Sequence, residues 1–248
     1  MNTSEGILYI AFGEAFRSEA LLSISSVKEK MPGVKICLMT DEIPRGFHAD
    51  GVQIKLINPS HLRAKVDFIA ESPFQKTIYL DSDTLVERDI SELFELLDRF
   101  DVVAAHDWAR KRKSLSRKIN EYGDIPYAFS EVNGGVFGWK SNAVSKRWIE
   151  SWKELYYTYQ LPGTRDQATL RISLWSSGVS LYILPPEFNL RGRRARAHVR
   201  KQKRAMGKDH LKPRVIHLHA WESIHRGKIP PSRPRLWRLI MRLKAHYL

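Results

Sequence analysis

Short apolar runs alternate with amphipathic stretches through the first half of the chain, and few folds accept that pattern. Residues 7–12, 34–39, 52–57, 77–80 and 101–105 read as strands, mostly apolar. Between them, residues 18–30 carry a helical pattern stopped by Pro32-Gly33, and residues 60–70 carry another that ends before Ser72-Pro73. Asp89 with Glu92 three residues on reads as a capping box opening a short helix that contains Leu93, Phe94, Leu96 and Leu97. A strand buried on both faces is apolar throughout, and strands joined through helices run parallel. The expectation is an α/β fold with a Rossmann-like, mostly parallel central sheet and helices on both faces. In such a sheet the ligand crevice lies at the carboxyl ends of the strands.

The second half is less regular. Residues 132–139 form a Gly-rich strand, and residues 141–160 a long helix in which Val144, Trp148, Trp152, Leu155 and Tyr159 recur at helical spacing as core. A further helix at 166–176 ends at Gly178, a strand at 179–184 is closed by Pro185-Pro186, and 215–219 is a last short strand. Residues 110–118 read as a basic loop or exposed helix. At 248 residues the chain suits one large domain. The single cysteine, Cys37, excludes an intramolecular disulfide or a multi-cysteine metal site and reads as a core residue.

One apolar run, Thr77-Ile78-Tyr79-Leu80, ends abruptly in Asp81-Ser82-Asp83. Side chains two apart on an extended chain face the same way, so the two acids make a hard oxygen site. Carboxylates this close repel and raise one another's pKa, which a bound Mg²⁺ or Mn²⁺ relieves. A turn or a helix cap is the plainer account of the same residues.

Charge is unevenly spread. Residues 1–190 hold 23 Lys and Arg against 25 Asp and Glu, whereas residues 191–248 hold 18 against 2, so the whole excess of +14 lies in the last quarter of the chain. A basic tail on a neutral body suits an anionic partner surface. Residues 191–214 read as a mobile basic segment, and 236–248 mix Trp237, Leu239, Ile240 and Tyr247 with Arg238, Arg242 and Lys244 as an interfacial helix does. No long apolar run marks a membrane span, and the first residues lack the basic-then-apolar order of a signal peptide; the expected location is the cytoplasm.

Four pieces, in order, resemble glycosyltransferase family eight, the glycogenin-like and lipopolysaccharide galactosyltransferase-like enzymes of the GT-A fold. Tyr79-Leu80-Asp81-Ser82-Asp83-Thr84-Leu85-Val86 looks like the family's metal motif, and Asn133-Gly134-Gly135-Val136 is similar to its Asn-x-Gly-Val strand. Asp166-Gln167 resembles its Asp-Gln pair at a helix start, and Val215-Ile216-His217 its late histidine-bearing strand. The resemblance runs from about residue 7 to residue 219. It implies a hexosyltransferase that moves a sugar from a nucleotide-diphosphate sugar, UDP-linked, to a glycan or lipid-linked acceptor with retention of configuration, as in lipopolysaccharide or capsule synthesis.

On this resemblance Asp81, Asp83 and His217 would hold Mn²⁺ (or Mg²⁺), the imidazole favouring manganese. An ordinary buried histidine is the alternative for His217. Asp81, Ser82, Asn133, Gly134 and Gly135 would contact the donor, the glycines letting a ligand near the backbone, although a turn or bulge also accounts for them. Lys65, sixteen residues before Asp81, occupies the family's basic donor position or else a solvated helix face. Asp166, otherwise a helix cap, and Gln167 would act at the reacting carbon. Ala11, Phe12 and Phe16 would take the nucleoside, unless the rings are core.

Some residues depart from the family's pattern. Leu218-His219-Ala220-Trp221 stands where a Gly and then Lys-Pro are usual, leaving the phosphate-binding lysine unplaced, with Lys228 much further on. Phe16 replaces a usual tyrosine, and Ala168 follows Asp166-Gln167 where some members have another acid. The division expected is a catalytic domain over 1–220 and a basic aromatic tail over 221–248, peripheral on the cytoplasmic membrane face. Specific nucleic-acid binding is not expected. Two other functions fit parts of the sequence: non-specific nucleic-acid binding through 191–214, and a sugar nucleotidyltransferase, which would want more glycine after the first strand than Gly13 supplies.

Overall fold

A computed structural model describes residues 5–44, 51–107, 119–159, 166–191 and 212–217. Its centre is a seven-stranded sheet in the order β3-β2-β1-β4-β7-β6-β8. The strands are β1 (Glu5–Ile10), β2 (Ile36–Thr40), β3 (Val52–Leu56), β4 (Lys76–Leu80), β6 (Val102–His106), β7 (Val132–Lys140) and β8 (Leu181–Leu184). All neighbours pair in parallel except that β7 runs antiparallel between β4 and β6. A second sheet of three short strands, β5 (Thr84–Val86), β10 (Val215–His217) and β9 (Leu190–Arg191), stands beside it.

Strand alternation divides the core in two. Ile7, Tyr9, Leu38, Ile78, Leu80 and Val136 point to the face covered by α1 (Glu14–Lys30) and α3 (Glu92–Arg99). Leu8, Ile10, Met39, Tyr79 and Phe137 point to the other, covered by α2 (Lys65–Phe68), α5 (Ala143–Tyr159) and α6 (Gln167–Ser176). Burial on both faces is why β1, β2, β4 and β6 read as apolar runs, whereas the edge strand β3 carries Gln53 and Lys55 at exposed or half-buried positions. Trp148 and Trp152 of α5 are fully buried, their rings stacked at 6.1 Å, while Val144, Leu155 and Tyr159 lie at its half-buried margin. Cys37 is buried in β2, and that burial pushes its thiol up to about 11.

The expected mixed α/β architecture is present, with two local corrections. The helix expected over 60–70 is one turn, α2, continued by a 3-10 turn at Ile69–Glu71. Asp89 does not cap α3; its Oδ1 accepts from Ser91 N at 2.7 Å, a turn that precedes the helix. The five-residue α4 (Asn120–Asp124) precedes the Gly-rich strand β7, which runs antiparallel to both of its neighbours, β4 and β6. The basic stretch 110–118, most of 191–214 and the tail 221–248 lie outside the described residues, as does His219.

Asp101 ties three elements at the far edge of the sheet. Its carboxylate accepts from Ser180 N (2.9 Å), Ser180 Oγ (2.7 Å) and Asn142 Nδ2 (2.7 Å), with Lys140 Nζ at 3.4 Å. Burial alone would raise its pKa, but these donors outweigh burial and hold the carboxyl at about 2. The folded state therefore binds this proton less readily than the unfolded chain, so the stabilisation is complete above about pH 4 and is lost as pH falls towards 2. Asp101→Asn is expected to lower stability by about 1–2 kcal/mol at neutral pH and to flatten the acid limb of the stability profile, measured by urea denaturation between pH 2 and 7.

Candidate active site

At the carboxyl ends of β1 and β4 the sheet opens into a cavity of about 450 Å³. Every residue singled out from the sequence lines it: Ala11, Phe12, Phe16, Lys65, Asp81, Ser82, Asp83, Asn133, Gly134, Gly135, Asp166, Gln167 and His217. Asp81 and Asp83 share a side for a different reason from the one expected. They do not continue an extended strand; the chain turns at Ser82-Asp83, and Thr84 N and Oγ1 bond back to Asp81 O at 3.2 and 2.8 Å. The plain reading as a turn is thus correct, and that turn is what aims both carboxylates into the cavity.

His217 reaches them through the small sheet. Antiparallel pairing places His217 opposite Thr84, one residue from Asp83. Its Nε2 lies 2.9 Å from Asp83 Oδ1 and 3.7 Å from Asp81 Oδ2, and one ligand atom from each residue falls within 4.8 Å of the others. Asp81 Oδ1 is held separately, by Tyr79 OH at 2.9 Å and Lys65 Nζ at 3.4 Å, which leaves Oδ2 towards the histidine. Two carboxylate oxygens and an imidazole nitrogen in this arrangement suit a divalent cation with both oxygen and nitrogen affinity.

Gly135 makes the arrangement possible. It follows Val136 in the register of β4 with β7, and its carbonyl accepts from Asp81 N at 2.9 Å. A Cβ there would lie 2.3 Å from His217 Cε1 and 2.8 Å from Asp81 Oδ2. The glycine was expected to let a ligand near the backbone; the space is instead taken by His217 and Asp81. At Gly134 a Cβ would meet Lys65 Nζ at 3.2 Å.

On the β7 side of the turn lies a network of charged and amide groups. Lys65, 7% exposed, does not lie on a solvated helix face: its Nζ contacts Asp166 Oδ2 at 3.1 Å and donates to Gly134 O at 2.8 Å. Burial alone would lower the pKa of this ammonium, but the charges of Asp166 and Asp81 outweigh burial and raise it. Asp166 precedes α6 without capping it through its side chain, and Arg63 Nε stands 4.0 Å from its other oxygen. Gln167 Nε2 donates to Asp107 Oδ2 at 2.6 Å, as does Asn133 Nδ2 at 3.2 Å, and Arg191 Nη1 lies 3.7 Å away.

The β1 side is apolar at its edge, with the rings of Phe12 and Phe16 6.2 Å apart. Neither ring is fully buried. Below them Glu19 of α1 is buried and accepts from Ser82 Oγ at 3.2 Å. Burial, then the charge of Asp83, push its carboxyl up to about 8; Ser82 opposes the rise and Asp81 adds to it.

Sequence reading did not single out Glu19, Arg63, Asp107 and Asn189 as site residues. Glu19 falls in a helix on an ordinary polar position, and Arg63, Asp107 and Asn189 come from connections whose course only the fold decides. Gly135→Ala is expected to cost about 2–3 kcal/mol by forcing His217 and Asp81 apart, read as a drop in melting temperature, whereas Gly13→Ala, with open space around its Cβ but φ +73°, is expected to cost about 1 kcal/mol.

The description nucleotide-diphospho-sugar transferase belongs to a family model that matches residues 76–229. Among solved structures, the galactosyltransferase LgtC in complex with donor and acceptor sugar analogs aligns over 86% of this chain and 86% of its own, at 16% identity and a TM-score of 0.62. The glycosyltransferase GlyE of Streptococcus pneumoniae TIGR4 aligns over 98% of this chain and 60% of its own, at 18% identity and a TM-score of 0.60. Mouse xyloside xylosyltransferase 1 aligns over 86% and 97%, at 14% identity and a TM-score of 0.58. A search of curated protein sequences returns no match. Identities this low speak for the fold, and the family match covers more than half of the chain. The chain belongs to the nucleotide-diphospho-sugar transferase family and is a glycosyltransferase of the GT-A fold.

Proposed function

We propose that the protein is a cation-dependent transferase that moves a hexose from a nucleotide-diphosphate sugar, UDP-linked, to a glycan or lipid-linked acceptor with retention of configuration. The observation that carries this reading is the convergence of Asp81, Asp83 and His217 between an aromatic wall and a polar one. A nucleotide sugar is linear in its chemistry: base, pentose, diphosphate, sugar. The aromatic wall of Phe12 and Phe16 with Ala11 suits the base, and the buried polar groups suit the sugar.

Asp81, Asp83 and His217 would hold the ion, and the donor set favours Mn²⁺ over Mg²⁺ because one ligand is nitrogen. Bound there, such an ion stabilises the charge that gathers on the diphosphate as it leaves. Lys65 keeps a positive charge next to the same region and neutralises the carboxylates around it. Asn133, Gly134 and Ser82 contact the donor, Asp166 orients sugar or acceptor, and Gln167, whose amide nitrogen is engaged by Asp107, faces the reacting carbon with its oxygen. The complex of LgtC with donor and acceptor sugar analogs supports a two-substrate reading of the cavity.

The catalytic domain extends over 1–220 in this reading, and the basic aromatic tail of 221–248 attaches it to the cytoplasmic face of an anionic membrane, as in lipopolysaccharide or capsule synthesis. Among the described residues no helix is long and apolar enough to cross a membrane. The mixture of aromatic and basic residues over 236–248 supports surface attachment.

Purified protein screened across nucleotide sugars is expected to release the nucleoside diphosphate from one of them with Mn²⁺ and not with chelator. Asp83→Ala should lower that rate at least 100-fold, about 2.7 kcal/mol of transition-state stabilisation. Absence of turnover with every donor, or an unchanged rate in Asp83→Ala, would contradict the reading. Sedimentation with anionic vesicles at low salt should capture the full chain and lose it on deletion of 236–248; equal capture of the truncated chain removes the membrane assignment.

A further inference from the structure

The ring of His217 is 4% exposed, and both of its nitrogens face named partners. Nε2 faces Asp83 and Asp81; Nδ1 lies 3.1 Å from Asn189 Oδ1. Which nitrogen carries the proton decides whether the ring offers a lone pair to the carboxylate side.

The hydrogen-bond directions around Asn189 answer this from the backbone outward. Gly135 N–H has only a proton to offer, and it donates to Asn133 Oδ1 at 2.9 Å. That orients the Asn133 amide, whose oxygen also faces Asn189 at 2.9 Å. Asn189 therefore presents Nδ2 to Asn133 and Oδ1 to His217. An amide oxygen cannot donate, so Nδ1–H of the histidine must, and Nε2 is the nitrogen left to give its lone pair to a cation that takes the place of a proton shared with Asp83. The same amide of Asn133 donates its Nδ2 to Asp107, so the direction is consistent to the end of the chain. All three side chains, Asn133, Asn189 and His217, are buried, where a reversed or unmade bond is costly.

We propose that Asn189 is the positioning residue that holds His217 in the Nδ1–H tautomer, with Nε2 directed to a divalent cation between Asp81 and Asp83. The inference rests on the cation-site reading above. Asn189 comes from the 3-10 turn Pro186–Asn189, next to β9, which pairs with the histidine strand β10, so the same small sheet supplies both ligand and support. Partners of this kind orient metal-bound imidazoles, and their loss typically costs 10–100-fold in metal affinity.

The test is Mn²⁺ affinity of the full chain, measured from the free-ion electron paramagnetic resonance signal. Asn189→Leu, of similar volume without an acceptor, and Asn189→Ala are expected to bind Mn²⁺ 10–100-fold more weakly. Asn189→Asp keeps an acceptor for Nδ1–H and is expected to stay within about threefold of native, although it no longer donates to Asn133. A packing role alone would lower the melting temperature of all three without separating Asp from Leu. On the native chain with Mg²⁺ bound, ¹⁵N shifts of His217 should report the proton on Nδ1, a measurement that needs no variant to fold. Native affinity in the Leu and Ala variants, equal loss in the Asp variant, or an Nε2–H signal overturns the proposal while leaving the cation site standing. A native chain that binds no Mn²⁺ overturns both.

Discussion

His217 and Asp81 meet over the bare backbone of Gly135, and the rest of the site depends on that contact. The two side chains come from different sheets: Asp81 follows the central strand β4, and His217 ends the short β10. They can approach because the strand beside Asp81 carries no Cβ at the crossing point, where one would stand 2.3 Å from the imidazole. Concentrating two carboxylates at the lip of a buried sheet is electrostatically costly, and the surroundings supply the compensation. Tyr79 and Lys65 hold one oxygen of Asp81, and His217 stands against Asp83.

Support for that contact spreads outward in layers. The central sheet is covered on both faces and is rigid, so β4 and β7 hold Asp81, Asn133 and Gly135 in one register. The antiparallel insertion of β7 puts the Gly-rich strand directly beside the acid-bearing one. A parallel strand in that position would carry its first residues to the opposite edge of the sheet, away from the carboxyl end of β4. Beyond the sheet, buried amides pass the order from Gly135 N–H through Asn133 and Asn189 to the histidine, and through Asn133 to Asp107 and Gln167. Cation ligands and the polar wall are thus parts of one hydrogen-bonded body.

Much of this was legible beforehand. Apolar runs located the strands because both sheet faces are covered, and the acid pair located the lip of the crevice because charges cannot lie inside such a run. All the candidate residues border one cavity. Less legible were features that depend on neighbours from far along the chain. Lys65 gave equal reason for a solvated helix face or the family's donor position, and the fold buries it against Asp166, about a hundred residues later. Asp89 matched a capping box in spacing, yet a turn uses it first. Glu19 looked like any polar position of an amphipathic helix, and only packing against Ser82 and near Asp83 makes it a buried acid.

By itself the sequence determined the class of fold, which follows from periodicity along the chain, while the family and the ligand set were legible through the resemblance of four short motifs. The tertiary structure alone decided what Gly135 is for, which atoms of Asp81 and His217 are engaged, and that Asn189 stands behind the ring. Those are matters of distance and hydrogen-bond direction between residues such as Asp81 and His217, 136 positions apart. A one-residue change of register would move each side chain to the opposite face, and nothing local in the sequence records that register.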